Sequence, residues 1–310
     1  MKRLLCLIVF LLFNWAGFPL RSVAGVTDSV AAENAFFRSI RANQAESYIT
    51  FGQGFGNMEP LVFEALIAPY FLLRTNRDAR LGATLSSPII LRMQAKESFP
   101  VRAPSYMPGL TFYFQLPDKA LGNQTSSYLF LSLEHHSNGQ YEPFFIEDGS
   151  YNTETGNFST NFLELGVFVN QNVLPFEKTI DYFRTSIEWH PDVVRSEELK
   201  GRYSFLRWHN SFRIFRFPGQ DSFRKHHVNK EIPRVQTKVE TIWMFGDMEG
   251  AAFFDAGERF NLSMTIAYRP RVLNDVSLFV NFYSGKDYYN MQFFRRINTL
   301  RLGLQAFAFK

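Results

Sequence analysis

The segment Tyr128-Leu129-Phe130-Leu131-Ser132-Leu133-Glu134 alternates between two kinds of side chain. In an extended chain its three leucines lie on one side, and Ser132 and Glu134 lie on the other. Because successive side chains of a β-strand point to opposite faces, the pattern predicts a strand with one apolar face. The end of the chain repeats the pattern, with Arg301 and Gln305 opposite an apolar row of Leu300, Leu302, Leu304, Ala306 and Ala308.

About twelve such runs follow one another, each roughly 9–14 residues long, which is enough for a tilted strand to cross a bilayer. They cover residues 47–55, 61–74, 80–94, 106–117, 126–139, 158–171, 181–193, 201–217, 235–247, 260–270, 276–285 and 298–309. A soluble sandwich or barrel would hide the apolar faces in a core, whereas a transmembrane barrel turns them to lipid. The even strand number and the closing Phe309 favour an all-β fold, a transmembrane antiparallel β-barrel of 12 strands. Residues 218–234 are long for a turn, so the strand boundaries there stay open.

The composition excludes two other classes of protein. Aromatic residues make up 17 % of the chain (35 Phe, 13 Tyr and 4 Trp) and charged residues 20 %. Disordered chains are poor in aromatic residues. Beyond the N-terminus, no stretch approaches the ~18 uninterrupted apolar residues that a spanning helix requires. The sequence therefore predicts neither a disordered chain nor a bundle of membrane helices.

The N-terminus has the features of a secretory signal peptide. A basic start precedes an apolar run from Leu4 to Phe13, and small residues at 22–24 suit cleavage, so we expect a signal peptide over 1–24. The alternative is a single membrane anchor. A periplasmic segment over 25–45 and a barrel domain over 46–310 would follow. Cleavage removes Cys6, the sole cysteine, and three basic residues, so the formal charge falls from +4 to +1 and indicates no nucleic-acid partner.

Three polar residues fall on predicted apolar faces. His135 and Ser137 continue the leucine row of their strand, and Asn161 lies in register with the apolar residues of the next strand. Polar groups facing hydrocarbon are costly unless they are paired or functional. A serine, a histidine and an amide are a nucleophile, a base and an orienting group. His136, on the inward face, is instead expected to join a polar network in the lumen.

The motif around these residues resembles that of bacterial outer membrane phospholipase A, a family of twelve-stranded barrels that hydrolyse phospholipid acyl esters. The family's His-x-Ser-Asn-Gly followed by Arg or Gln is matched by His135-His136-Ser137-Asn138-Gly139-Gln140. Similar elements are Glu97-Ser98-Phe99-Pro100-Val101-Arg102, Tyr106-Met107-Pro108, and the run from Tyr283 to Asn290 that precedes the last strand. The resemblance covers roughly residues 46–310 and is specific at the His-Ser motif.

The resemblance implies a role for each residue of the site. Ser137 would be the acyl nucleophile, His135 its general base and Asn161 the group that orients the imidazole. The backbone N–H of Gly139 would stabilise the oxyanion. The implied activity is that of a phospholipase A1/A2, with lysophospholipase activity as a further possibility, acting on the outer leaflet of the bacterial outer membrane.

The family also uses calcium at a dimer interface, which implies Ca²⁺ and a homodimer for this chain. The implied ligands are Ser98, Gln140 and a serine shortly before the asparagine. Asn157 occupies that serine's position, with Ser159 two residues further on, and the loop over 141–156 is longer than expected. The rival functional class is a non-catalytic barrel, a porin or structural protein, with a vestigial motif. A barrel of ~12 strands is narrow for a porin, since inward side chains largely fill it.

Overall fold

The computed structural model describes residues 35–76, 79–117, 127–171, 179–192, 195–216, 234–273 and 275–306. The expected signal peptide, the first part of the segment over 25–45, most of 218–234 and Phe309 lie outside these ranges. The strands are β1 (Tyr48–Thr50), β2 (Phe55–Gly56), β3 (Leu61–Ile67), β4 (Tyr70–Leu73), β5 (Leu81–Ser86), β6 (Ile89–Gln94), β7 (Ser105–Tyr106), β8 (Gly109–Gln115), β9 (Tyr128–Ser137), β10 (Ser159–Gln171), β11 (Thr179–Trp189), β12 (Leu206–Arg216), β13 (Val235–Phe245), β14 (Phe260–Tyr268), β15 (Val276–Lys286) and β16 (Arg296–Ala306). The helices are α1 (Ala35–Ala42) and α2 (Ala256–Arg259), with 3₁₀ turns at Glu197–Leu199 and Asn290–Gln292.

The strands form one closed antiparallel barrel of twelve strands, so the predicted fold is confirmed. Each of the first four barrel strands consists of two short segments, and β9 to β16 are one segment each. Closure is made by β16, which pairs with β1, and by β9, which pairs with both β8 and β10. Among the described residues, no helix is long and apolar enough to cross a membrane.

Prolines cause three of the four breaks. Pro69, Pro88 and Pro108 separate the paired segments, because proline has no N–H to give to a strand ladder. Their carbonyls still accept from the adjacent strand: Ser87 N–H donates to Pro69, Met107 N–H to Pro88 and His135 N–H to Pro108, at 2.9–3.2 Å. The last of these bonds fixes the backbone at His135.

The outward face is apolar and the lumen is polar. Leu165, Leu278 and Leu302 are among many outward side chains that are more than two-fifths exposed. Inside, Arg92 is fully buried and donates to Glu64 and to both carboxylate oxygens of Asp287 at 2.7–2.8 Å. Ionic side chains therefore cross the lumen, as expected of a narrow barrel.

The helix α1 was not predicted. Its Phe36, Phe37 and Ile40 are fully buried in a cluster with inward-facing aromatic residues at the end of the barrel where β9 begins: Tyr113, Tyr128, Phe130, Phe168, Tyr182 and Phe215. Phe37 packs over Gly82, where a Cβ would lie 3.0 Å from its ring. The helix thus occupies one end of the lumen, and Ser137 lies at the other, which we call the site end.

Candidate active site

Strands β9 and β10 bring together the histidine and the asparagine of the predicted triad. His135 lies directly opposite Asn161 in the antiparallel register. The His135 Nδ1 and Asn161 Oδ1 atoms are 2.9 Å apart. Because an amide oxygen only accepts hydrogen bonds, Nδ1 carries the proton and donates it to Asn161. In the neutral imidazole this tautomer leaves Nε2 without a proton, so that it can accept one.

The pair lies on the outward face, as the alternation predicts. Ser137 and His135 are two residues apart on β9, so they share this face. Both side chains are half-buried, at the end of a row of leucines that are 40–42 % exposed: Leu129, Leu131 and Leu133. Ser137 lies opposite Ser159 of β10 and Tyr106 of β7. A hydroxyl, an imidazole and an amide therefore occupy one outward patch at the site end of the barrel.

Asn138, to which the sequence analysis assigned no role, shapes the turn after Ser137. It is buried, and its Nδ2 donates to the carbonyl of Gly156 at 2.8 Å. Its Oδ1 accepts from the backbone N–H groups of Phe158 at 3.0 Å and Gln140 at 3.2 Å. Gly139, between Asn138 and Gln140, has φ 68°, a conformation that favours glycine. The residue is exposed. The Asn138 side chain therefore holds the backbone that carries the Gly139 N–H.

The inward residues behind the pair form a chain of hydrogen bonds. Thr160, next to Asn161, lies 2.9 Å through its Oγ1 from Nδ1 of His190. Nε2 of His190 lies 2.5 Å from Glu188 Oε1, which also accepts from Arg207 at 2.9 Å. Burial lowers the pKa of His190, so the imidazole is neutral at pH 7 and donates from Nε2 to the carboxylate. The chain joins β10, β11 and β12 on the lumen side.

His136 lies on the inward face, as expected. It is buried, and its ring centroid is 4.8 Å from that of Phe158. Among the groups that the structure describes, its Nε2 has no hydrogen-bond partner. The inward position is therefore correct, but this nitrogen adds no bond to the lumen network.

The oxygen atoms expected to bind calcium lie on loops at the site end and at the start of β10. Ser98 is exposed with φ 63°, and Gln140, Asn157 and Ser159 are half-buried. Oδ1 of Asn157 accepts from the Ser196 hydroxyl at 3.3 Å. An all-oxygen set suits a hard cation, but this one has no carboxylate, and ligand charge raises calcium affinity. The described residues also contain no group of three or more His, Cys, Asp or Glu that could hold a metal. These four residues thus offer the oxygen donors that calcium prefers, but none of them carries a negative charge.

The long loop over 141–156 is ordered by two kinds of contact. Arg102 donates to Glu59 at 2.7 Å and to the Thr153 carbonyl at 3.1 Å, which ties the loop to the segment that follows Ser98. Apolar residues of the loop and its neighbours form a second buried cluster: Phe144, Phe158, Leu199, Tyr203, Met291 and Phe293. The loop therefore packs on other site-end loops beside the Ser137 turn.

Comparison with known proteins agrees with this architecture. No family model matches the sequence, and no curated protein matches it. Among solved structures, the chain is similar to a Salmonella typhi outer membrane phospholipase dimer with bound calcium, with a TM-score of 0.60 and 11 % identity over 89 % of this chain and 99 % of that one. It is similar to outer membrane phospholipase A from Escherichia coli, with a TM-score of 0.56 and 12 % identity over the same shares, and to an active-site mutant of that enzyme, with a TM-score of 0.58. The chain therefore has the barrel fold of the outer membrane phospholipase A structures.

Proposed function

We propose that this chain is an outer-membrane phospholipase that hydrolyses acyl ester bonds through a Ser137–His135–Asn161 triad. The observation that carries the proposal is the 2.9 Å contact between His135 and Asn161 on the outward face. A histidine and an asparagine directed at lipid would ordinarily be costly. Their pairing, with a serine on the same face, gives them a use that requires this position.

The geometry supports an acyl-enzyme mechanism. Nε2 of His135 takes the proton of the Ser137 hydroxyl as Oγ attacks the ester carbonyl carbon. The oxyanion that forms accepts a hydrogen bond from the Gly139 N–H. The imidazolium then gives its proton to the departing lysophospholipid oxygen, which leaves the acyl group on Oγ. A water molecule deprotonated by His135 attacks this ester, releases the fatty acid and restores the Ser137 hydroxyl.

A neutral orienting residue suits this location. An ionised carboxylate on a lipid-facing surface would be expensive to keep, whereas an amide offers an acceptor oxygen without a charge. Asn161 still holds the ring through Nδ1, and that selects the tautomer whose Nε2 faces the chemistry. The cost is weaker stabilisation of the imidazolium than an aspartate would give.

Calcium, a homodimer and the outer leaflet belong to the same proposal. A bound calcium ion would add positive charge near the oxyanion, and Ser98, Gln140 and Asn157 or Ser159 would hold it. Because these oxygens are neutral, a second copy that adds ligands would strengthen the site. Activity that requires two barrels would also restrain hydrolysis of the host membrane. The proposal includes the signal peptide over 1–24 and the periplasmic segment that follows it.

The test is fatty-acid release from phospholipid in mixed micelles by the purified chain. We expect release by the wild type, none by Ser137→Ala, and wild-type release by Ser150→Ala, an exposed serine in the loop over 141–156. A lipophilic sulfonyl fluoride should label Ser137 and no residue of the Ser137→Ala variant. No release from the folded wild type, or equal release from Ser137→Ala, would refute the hydrolase. The ion pairs that cross the lumen weigh against the porin alternative.

A further inference from the structure

The loop between β13 and β14 presents two aromatic side chains to the outside of the barrel. Phe254 is 84 % exposed and Phe253 56 % exposed. The loop lies at the site end, but neither residue takes part in the proposed chemistry. Two adjacent aromatic rings exposed to water are unfavourable, because apolar surface is more stable when it is removed from water. Isolated exposed apolar residues are common, whereas large contiguous apolar patches mark contact surfaces, so the question is whether this pair continues such a patch.

A buried arginine holds the loop in shape. Arg259 is 3 % exposed and donates to four backbone carbonyls, those of Met244 and Gly246 at the end of β13 and those of Ala251 and Ala252 in the loop, at 2.6–3.0 Å. A guanidinium has five N–H donors in a rigid planar arrangement, so one side chain joins both parts of the loop. The exposure of the two phenylalanines therefore results from a built conformation.

Phe253 and Phe254 continue the outward, lipid-facing surface of the barrel. Met244 is buried on the lumen side, so Phe245 points outward by the alternation of the strand. The Phe253 ring lies 6.0 Å from Phe245 and 4.9 Å from Phe254, measured between centroids. The outward Trp243 lies opposite Trp208 and Phe260 in the neighbouring strands. The loop thus folds back over the barrel rim and extends an aromatic band of β12 to β14.

We propose that Phe253 and Phe254 insert into the membrane at the boundary between acyl chains and headgroups and anchor this side of the barrel. Aromatic residues are enriched at that depth in membrane proteins. The flanking residues Asp247, Glu249, Asp255 and Glu258 are acidic, so they remain in water and disfavour contact with anionic headgroups. The partner is accordingly the apolar part of the leaflet. This surface is independent of the proposed hydrolysis and would serve any function of the barrel.

Depth measurement with a nitroxide tests the proposal, because replacing Cys6 with serine leaves a chain without cysteine. Phe254→Cys would be labelled and placed in phosphatidylcholine nanodiscs, and its collisions with oxygen would be compared with those with a water-soluble nickel chelate. Leu165→Cys, on the lipid-facing part of β10 and 61 % exposed, reports the bilayer, and Ser150→Cys, on an exposed loop, reports water. We expect the ratio of oxygen to nickel collisions at 254 to lie clearly above the value at 150 and below that at 165, because Leu165 lies at the middle of its strand and residue 254 at the edge of the acyl chains. A ratio equal to that at 150 would overturn the anchor.

Two further variants test the roles given to Phe253 and Arg259 in holding residue 254 in the membrane. With the label at 254, Phe253→Ser should shift the collision ratio towards water, since it removes the remaining phenylalanine of the pair. Arg259→Gln should increase the mobility of the label and lower its contact with lipid, because the four carbonyl contacts are lost. Label mobility unchanged in a folded Arg259→Gln chain would overturn the role given to this arginine. Label depth unchanged by Phe253→Ser would overturn the role given to Phe253.

Discussion

Replacing Asn161 with alanine tests the contact on which the proposed chemistry depends. The change removes the hydrogen bond that His135 Nδ1–H donates to Asn161 Oδ1, at 2.9 Å. A hydrogen bond between neutral groups contributes about 0.5–1.5 kcal/mol net. Since about 1.4 kcal/mol changes a rate tenfold, we expect kcat to fall about two- to tenfold. Changing a triad aspartate to asparagine costs about 10⁴-fold, because the wrong imidazole tautomer is then held. Alanine at 161 offers no donor that would hold the wrong tautomer, so the smaller loss is expected.

The assay is the initial rate of fatty-acid release in mixed micelles at several substrate fractions. Asn161 orients the base, so kcat and kcat/KM should fall together while KM stays unchanged. Asn161→Asp keeps an acceptor oxygen at the same place and should retain more activity than Asn161→Ala. Ser137→Ala sets the baseline, and the migration of unheated samples in gel electrophoresis shows that each barrel is folded. Full activity of Asn161→Ala, or activity as low as the Ser137→Ala baseline, would refute the reasoning.

Three further predictions follow from other parts of the structure. Asn138→Ala removes one donated and two accepted hydrogen bonds at the turn after Ser137. Steady-state kinetics should therefore show a lower kcat with an unchanged KM. An unchanged kcat would mean that the turn does not position the Gly139 N–H. Phe36→Ala leaves a cavity at a fully buried position in the aromatic cluster around α1. Urea titration in detergent should show that the free energy of unfolding falls by about 3–5 kcal/mol. A free energy equal to that of the wild type would show that the packing of α1 does not stabilise the barrel. A chelator should abolish fatty-acid release and added calcium should restore it, with a higher calcium requirement in Ser98→Ala; release that persists in the chelator would remove calcium from the mechanism and leave the triad standing.

Most of the barrel could be predicted from local sequence, because each strand shows its own alternation. The runs over 61–74 and 80–94 were expected to be continuous strands, but each is divided by a proline, at Pro69 and Pro88. Those prolines are visible in the sequence. Their effect depends on which carbonyl faces which N–H across the barrel, and that register is not a local property. The helix α1 was missed for a related reason: its partners are aromatic residues from several strands that meet only when the barrel closes.

The residues of the candidate site also fall into those that local sequence predicts and those that it does not. His135 and Ser137 could be assigned to the outward face by counting along one strand, and Asn161 by counting along the next. Asn138 was missed because its partners, Gly156 and Phe158, lie on the other side of the long loop. No periodicity indicates a hydrogen bond across such a loop. Arg259 has no periodic signal either, since four of its five acceptors are backbone carbonyls.

Strand register connects the lumen residues to the chemistry proposed for the outward face. A slip of one residue in β9 would turn His135 and Ser137 into the lumen and direct Glu134 at lipid, because side chains alternate with a period of two. Inward hydrogen bonds oppose such a slip: Thr111 Oγ1 and Ser132 Oγ are 2.7 Å apart across β8 and β9, with the two residues directly opposite each other. Thr160 does the same on β10 through its contact with His190. These lumen residues do not touch the proposed substrate surface, yet they determine which residues reach it. The proposed outward chemistry therefore requires a specifically hydrogen-bonded interior, which a wide aqueous pore would not provide.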